Sequence, residues 1–439
     1  MRRTNRAFRP MLETLEHRVT PALTATYNPS FQTLTVTETT VGNDTIVLEN
    51  TGAGQIKVSA SNGTVLNTVA DGVVTLGSAA KPVKHIVVRT GKGDDNVILG
   101  SNANPNFAIT GNLTINSTTG NKTVQNATVV AGTISVGGSF SIVSTVGASK
   151  TNLMHDISVG HSMTIKNGTG STLTDFFTKV AGTSNSFGGD LIVTNGAGFD
   201  QDVLINANVN GSVSFRNGAG AATGAGTQVV VDNVDIAAGN LIKGGLTVTN
   251  NSGVSVVIIN GAAFTLSPAL TALGYSSVDP TTEPYTIRGT VKINVSGGGY
   301  IPAASSVAES QVFIGNSAVA AATLAVDGSL FVTVNGSNTV TAINNITVGG
   351  LFTYSAGPGN SSNRVVIGGG GVVHIKGVTH VTFGSGGFNE LLLATASTVT
   401  LDHASFFVGG FGLGNNAFVT PANLTAPIAP VLHQFIQFP

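Results

Sequence analysis

The stretch ISVGGSFSI, Ile134 to Ile142, returns almost letter for letter as ISVGHSMTI at Ile157 to Ile165 and as ITVGGLFTY at Ile346 to Tyr354. Each copy alternates apolar and polar residues on both sides of a glycine. That is the period-two pattern of two short strands meeting at a corner. Looser copies centre on Gly111, Gly189, Gly211, Gly245, Gly289 and Gly328. A unit this short cannot bury an apolar face alone, so copies must stack on one another. The spacing of the central glycines fits a coil of about 22 residues with occasional loop insertions. The expected fold class is therefore all-β, a parallel β-helix (β-solenoid) with a β-rich N-terminal cap.

Several features of the repeat carry physical expectations. The corner glycine is expected to supply backbone angles that a Cβ resists. The Asn-Gly pairs at Asn167, Asn195, Asn217 and Asn335 follow the second strand, where Asn tolerates the left-handed region and stacked amides can bond as a ladder between coils. Phe140 and Ile142, Met163 and Ile165, Leu191 and Val193, Val213 and Phe215, Leu330 and Val332, and Phe352 and Tyr354 occupy equivalent places. They are the expected core, with the Thr and Ser between them facing solvent.

The organisation read from the chain is a leader over 1–25, a β-rich capping segment over 26–104, the parallel β-helix over 105–406 and a C-terminal cap or tail over 407–439. The segment Thr265 to Tyr285 reads as a loop packed against the rod, and the prolines from Pro421 onward as a cover for the last coil.

Composition narrows the function classes. Charged residues make up 9% of the 439 and hydrophobic ones 41%, the reverse of a disordered chain. A net charge of -1 offers no basic field for phosphates, so no nucleic acid is expected as a partner. With no cysteine, disulfides and thiolate metal sites are excluded. No apolar run is long enough for a transmembrane segment. Arg2, Arg3, Arg6, Arg9 and Arg18 crowd the beginning, but Pro10, Glu13, Glu16 and His17 interrupt any apolar stretch of an ordinary signal peptide.

Residues Arg9 to Ala22, RPMLETLEHRVTPA, resemble the LExLExRxxPA leader of planctomycete secreted and cell-surface proteins, through Leu12, Glu13, Leu15, Glu16, Arg18, Pro21 and Ala22. The resemblance implies a secreted or cell-surface location on a bacterial β-repeat protein. The body in turn resembles adhesin-like parallel β-helix proteins.

Two turns resemble half-copies of the calcium-binding nonapeptide GGxGxDxUx. TGKGDDNVI, Thr90 to Ile98, keeps Gly91, Gly93, Asp95 and Val97, and GNDTI keeps Gly42, Asp44 and Ile46. Calcium takes six to eight oxygens from carboxylates and backbone carbonyls, so Asp44 and Asp95 are the metal candidates and calcium the one ion considered. The two copies are not tandem, and a single turn cannot complete the shell. Read without an ion, they are Gly-Asp turns in which Asp caps backbone.

Right-handed parallel β-helices also host polysaccharide lyases and hydrolases, which need clustered carboxylates on one solvent-facing file. Asp200 with Asp202 and Asp232 with Asp235 are the candidates, and solvated surface positions are the favoured reading for them. His155 and His161, and His374 and His380, are read as exposed strand positions. Gly368 to Gly371 lacks the Lys-Ser or Lys-Thr of a phosphate loop. No catalytic residue is assigned. The expected function is a non-catalytic secreted or surface-displayed β-solenoid with a structural or adhesive role. Its partner would be an extracellular glycan or cell-surface component, and the alternative is a polysaccharide lyase or glycoside hydrolase on the same scaffold.

Overall fold

The structure, a computed structural model, describes residues 22–438 apart from 53, 62–64, 68, 71, 127–131, 179–182, 220–226, 233–239, 261–283, 297–309, 317–322, 336–338, 358–362, 386–387 and 412–413. The leader, all but its last residues, and nearly all of the Thr265 to Tyr285 segment lie outside the described residues, as does Asp235.

The fold is an all-β parallel solenoid that begins with two antiparallel hairpins. β1 (Leu23–Asn28) pairs with β2 (Thr33–Glu38), and β3 (Thr45–Gly52) with β4 (Gln55–Ser61). The short β5 (Val65–Leu66) and β6 (Val69–Ala70) pair with each other, and β7 (Val73–Leu76) adds antiparallel to β4. Parallel stacking starts at β8 (His85–Lys92) and β9 (Asp95–Leu99), which lie beside β2 and β3. β10 (Phe107–Ile109), β11 (Leu113–Thr119) and β12 (Lys122–Asn126) then make one complete coil. β13 (Ile134–Val136) returns to lie parallel beside β10, with Phe107 opposite Ile134.

A coil thus has three strands rather than the two expected from the repeat. The repeat supplies the first and second faces, and a third strand follows in a sequence too varied to show as a copy. Strands of the first face form a 12-stranded parallel ladder. The second and third faces are continuous with each other, because β14 (Phe140–His155), before the short first-face strand β15 (Ile157–Val159), and β16 (Met163–Phe177) run through the corner between them. The step between coils also varies. It is 22 residues from Asn195 to Asn217, 27 from Asn112 to Ser139 and 33 from Ser212 to Gly245.

The interior follows the expected files. Phe140, Met163, Leu191, Val213, Leu330 and Phe352 are buried one above another, with Ile142, Ile165, Val193, Phe215, Val332 and Tyr354 beside them. Burying each such side chain stabilises the stack by about 1.5–3 kcal/mol.

The corner glycines serve a purpose other than the one expected. None of the repeat-centre glycines has a left-handed φ. A Cβ added at Gly211 would come within 2.7 Å of the Gly189 carbonyl carbon, and one at Gly289 within 2.6 Å of that of Gly244. They allow neighbouring coils to close on one another, backbone to backbone. Left-handed angles occur instead at glycines between the second and third faces, such as Gly120 (φ 102), and, among non-glycine residues, at the corner before the first face, at Asp156 (φ 49), Asn206 (φ 51) and Asn345 (φ 42). Asn and Asp carry that conformation with least strain.

Candidate functional site

The corner between the second and third faces is where polar side chains turn inward. Along the end of the second face the register aligns Thr90, Ser117, Ser144, Asn167, Asn195, Asn217 and Asn250. All of them are buried. The amides form the expected ladder: Asn167 Nδ2 donates to Asn195 Oδ1 at 2.8 Å, Asn195 to Asn217 at 2.8 Å, and Asn217 to Asn250 at 3.0 Å. These asparagines are interior residues in extended backbone, not left-handed turn residues.

Across the corner, the third face begins each coil with a buried polar residue. Asp95, Lys122, Lys150, Thr172 and Asp200 succeed one another in register. The two calcium candidates, 51 residues apart in the chain, are brought together here: the Asp44 N–H donates to Asp95 Oδ1 at 3.2 Å. Glu38, at the end of β2, completes a trio of carboxylates with oxygens within 4.8 Å of one another. The Lys122 ammonium sits among them. It donates to the carbonyls of Gly93 at 2.8 Å and Gly91 at 3.2 Å and forms an ion pair with Asp95 Oδ2. It thus engages the same turn carbonyls that a calcium loop would offer to its ion.

Burial is the main cause of the Glu38 carboxyl being pushed up to about 7, and Asp95 and Asp44 add to it; the Gly91 N–H and Lys122 act in the opposite direction. The neighbouring Asp94 does cap backbone, but that of the next coil, accepting from the Asn121 N–H at 2.9 Å. It is held by Asn43 one coil earlier, whose Oδ1 accepts from the Asp94 N–H at 2.8 Å.

Farther along the stack, Asp200 and Asp202 are fully buried, which overturns their reading as a solvated pair. Alternation showed that both point to one side of the strand, and the register shows that this side is the interior. Asp200 accepts from Thr172 Oγ1 at 2.7 Å, and Asp202 accepts from Asn195 Nδ2 at 3.0 and 3.1 Å. Burial pushes both carboxyls up to about 7. Asp175, on the other side of the same face, is pushed well above the usual carboxylate range by burial and by Asp202, and neither of its oxygens has a partner among the described residues. Burial also lowers the pKa of Lys150, whose ammonium donates to the carbonyls of Gly147 (3.1 Å) and Thr169. Asp232 is buried as well.

The histidines divide. His155 is buried, 3.1 Å from Asp156 Oδ2 and tilted against the Phe177 ring, contrary to the exposed position expected of it. His161 and His380 are exposed, and His374 pairs with Asp402 at 2.9 Å near the surface.

Glu38, Lys122 and Lys150 were not singled out from the sequence. The available signal was the alternation of Lys122, Val124 and Asn126, which places the lysine on the inward side, read together with the 27-residue step back to Asp95. Comparison with protein-family models, with curated proteins and with solved structures finds no match to this chain.

Proposed function

We propose that this chain is a non-catalytic, secreted or surface-displayed β-solenoid with a structural or adhesive role, binding an extracellular glycan or another cell-surface component through many weak contacts. The observation that carries the reading is the stack itself. Parallel coils in register repeat shallow, partly exposed positions such as Ser141, Thr164 and Ile192 along one face. Repetition of a weak contact on a stiff support multiplies affinity without any deep pocket. The enzymatic alternative required two carboxylates and a base on an exposed file. Of Asp200, Asp202, Asp232 and Asp235, on which it was built, the first three are buried and Asp235 lies outside the described residues.

Binding to an array of extracellular polysaccharides, with and without calcium, tests the proposal. Retention on immobilised polymer, lost on the corresponding monosaccharides, is the expected outcome. Shortening of any polymer during incubation would replace this reading with the enzymatic one.

A further inference from the structure

We propose that Lys122 and Asp95 are joined by an intramolecular amide, Lys122 Nζ to Asp95 Cγ, which the folded chain forms on its own with Glu38 as proton carrier.

The geometry brings the two reacting side chains into contact. Asp95 and Lys122 are direct partners on parallel strands of neighbouring coils. Their side chains are 1% and 4% exposed, and the Lys122 nitrogen lies against an Asp95 carboxyl oxygen. Two carbonyls, those of Gly91 and Gly93, fix the nitrogen on its remaining sides. Holding two reactants in contact in this way replaces the entropy cost of an encounter with a cost already met in folding. The buried neighbours Val97 and Val124 exclude water from the interior side, which favours a condensation over its reverse.

Glu38 supplies the third requirement. Its carboxyl is held by the Gly91 N–H, and it has an oxygen within 4.8 Å of those of Asp95 and Asp44.

The step balances as a dehydration. A proton passes from the Lys122 ammonium to the Asp95 carboxylate within their contact, leaving a neutral amine and a carboxylic acid. The nitrogen lone pair adds to Asp95 Cγ, forming the C–N bond. Glu38 takes one proton from the nitrogen and delivers one to the departing hydroxyl, the C–O bond breaks, and water leaves. Glu38 ends as it began, and nothing is oxidised or reduced.

The second buried lysine serves as an internal contrast. Lys150 has its ammonium on the carbonyls of Gly147 and Thr169, and among the described residues it has no carboxylate within ion-pair distance, so no amide is expected there.

Tryptic digestion of the purified full chain reads the outcome. An unmodified chain is cut after Lys122 and yields the peptides Gly93 to Lys122 and Thr123 to Lys150. An amide at Lys122 blocks that cut. The expected product is one peptide, Gly93 to Lys150, lighter than its sequence by the mass of one water, with fragment ions that place the link at Asp95 and Lys122. Glu38→Gln keeps the shape of the site but cannot relay a proton, and it is expected to yield the two separate peptides at full mass. Lys122→Arg is expected to be cut at position 122 as well. Recovery of the two separate full-mass peptides from folded wild-type protein overturns the proposal whatever the variants do. A link in wild type that survives Glu38→Gln overturns the role of Glu38.

Discussion

The first and last parts of the solenoid share a backbone plan but fill the same interior corner in opposite ways. At the end of the second face the early coils place Thr90, Ser117, Asn167, Asn195 and Asn250, while the later ones place Val295, Val334 and Ala356 in the same register. Both versions are buried. In the early coils Thr90 bonds to Ser117, and Asn167, Asn195, Asn217 and Asn250 bond in succession, so burial is tolerated through the ladder. In the later coils the same space is filled by contact between hydrocarbons, and the polar ladder moves across to Thr339, Asn363, Asn389 and Asn415 on the third face. Backbone stacking therefore sets the fold, and the corner is free to carry hydrogen bonds, charge or grease.

The strongest break of this contrast is Lys122→Met. It leaves the Glu38, Asp44 and Asp95 carboxyls facing each other with neither an ion pair nor an amide to Lys122, and leaving a buried charge unpaired typically costs about 3–5 kcal/mol. Denaturant unfolding followed by hydrogen exchange should show the early coils opening first while the valine-lined coils stay protected. Next comes Asn195→Ala in the middle of the ladder. It strands groups on Asn167, Asn217 and Asp202 and should lower stability by about 2–3 kcal/mol in the same measurement.

A pH titration separates the two regions without mutation. Asp200 and Asp202 have carboxyls raised to about 7 in the folded chain from an ordinary 3.8, so the folded state holds their protons more tightly than the unfolded state does. Their contribution is fully present below about pH 4 and is lost as pH rises through about 7. The melting temperature should drop by several degrees across that window, and Asp202→Asn should flatten the drop.

The smallest effect belongs to the boundary. Asn250→Val extends the apolar file by one coil. It removes an acceptor from Asn217 but also removes the Asn250 side-chain amide, whose Nδ2 donates to none of the described residues. These opposing changes should leave stability within about 1 kcal/mol of wild type by thermal melting.

Much of this was legible in the sequence. The near copies around Gly138 and Gly350 state the second face and its inward files, because alternation beside a fixed glycine leaves one register. The third strand was not legible. The segments DQDVL, SVVII and NRVVI, which occupy one register, have no position at which all three carry the same letter, and at Val203 and Val230 apolar residues point outward into a second buried cluster, which blurs the alternation. Asp44 and Asp95 were found as turn residues from local spacing alone. Glu38 and Lys122 come to them only through the step between coils, which no local window contains. Asp200 and Asp202 were assigned to the wrong side for a related reason: period two says which residues share a face, but it does not say which face is inside.

The glycine column has a consequence for how such a rod can change over time. At Gly211, Gly289 and Gly328 an added Cβ would come within 2.7 Å of the backbone of the preceding coil, so an alanine there would pry two layers apart at one edge, although His161 fills the same slot in the Ile157 copy. A copied layer arrives with its own glycine already in place. Lengthening by duplication is therefore gentler on this architecture than piecemeal editing of the column, and the near-identical copies at Ile134 and Ile157 are the kind of trace that such growth leaves.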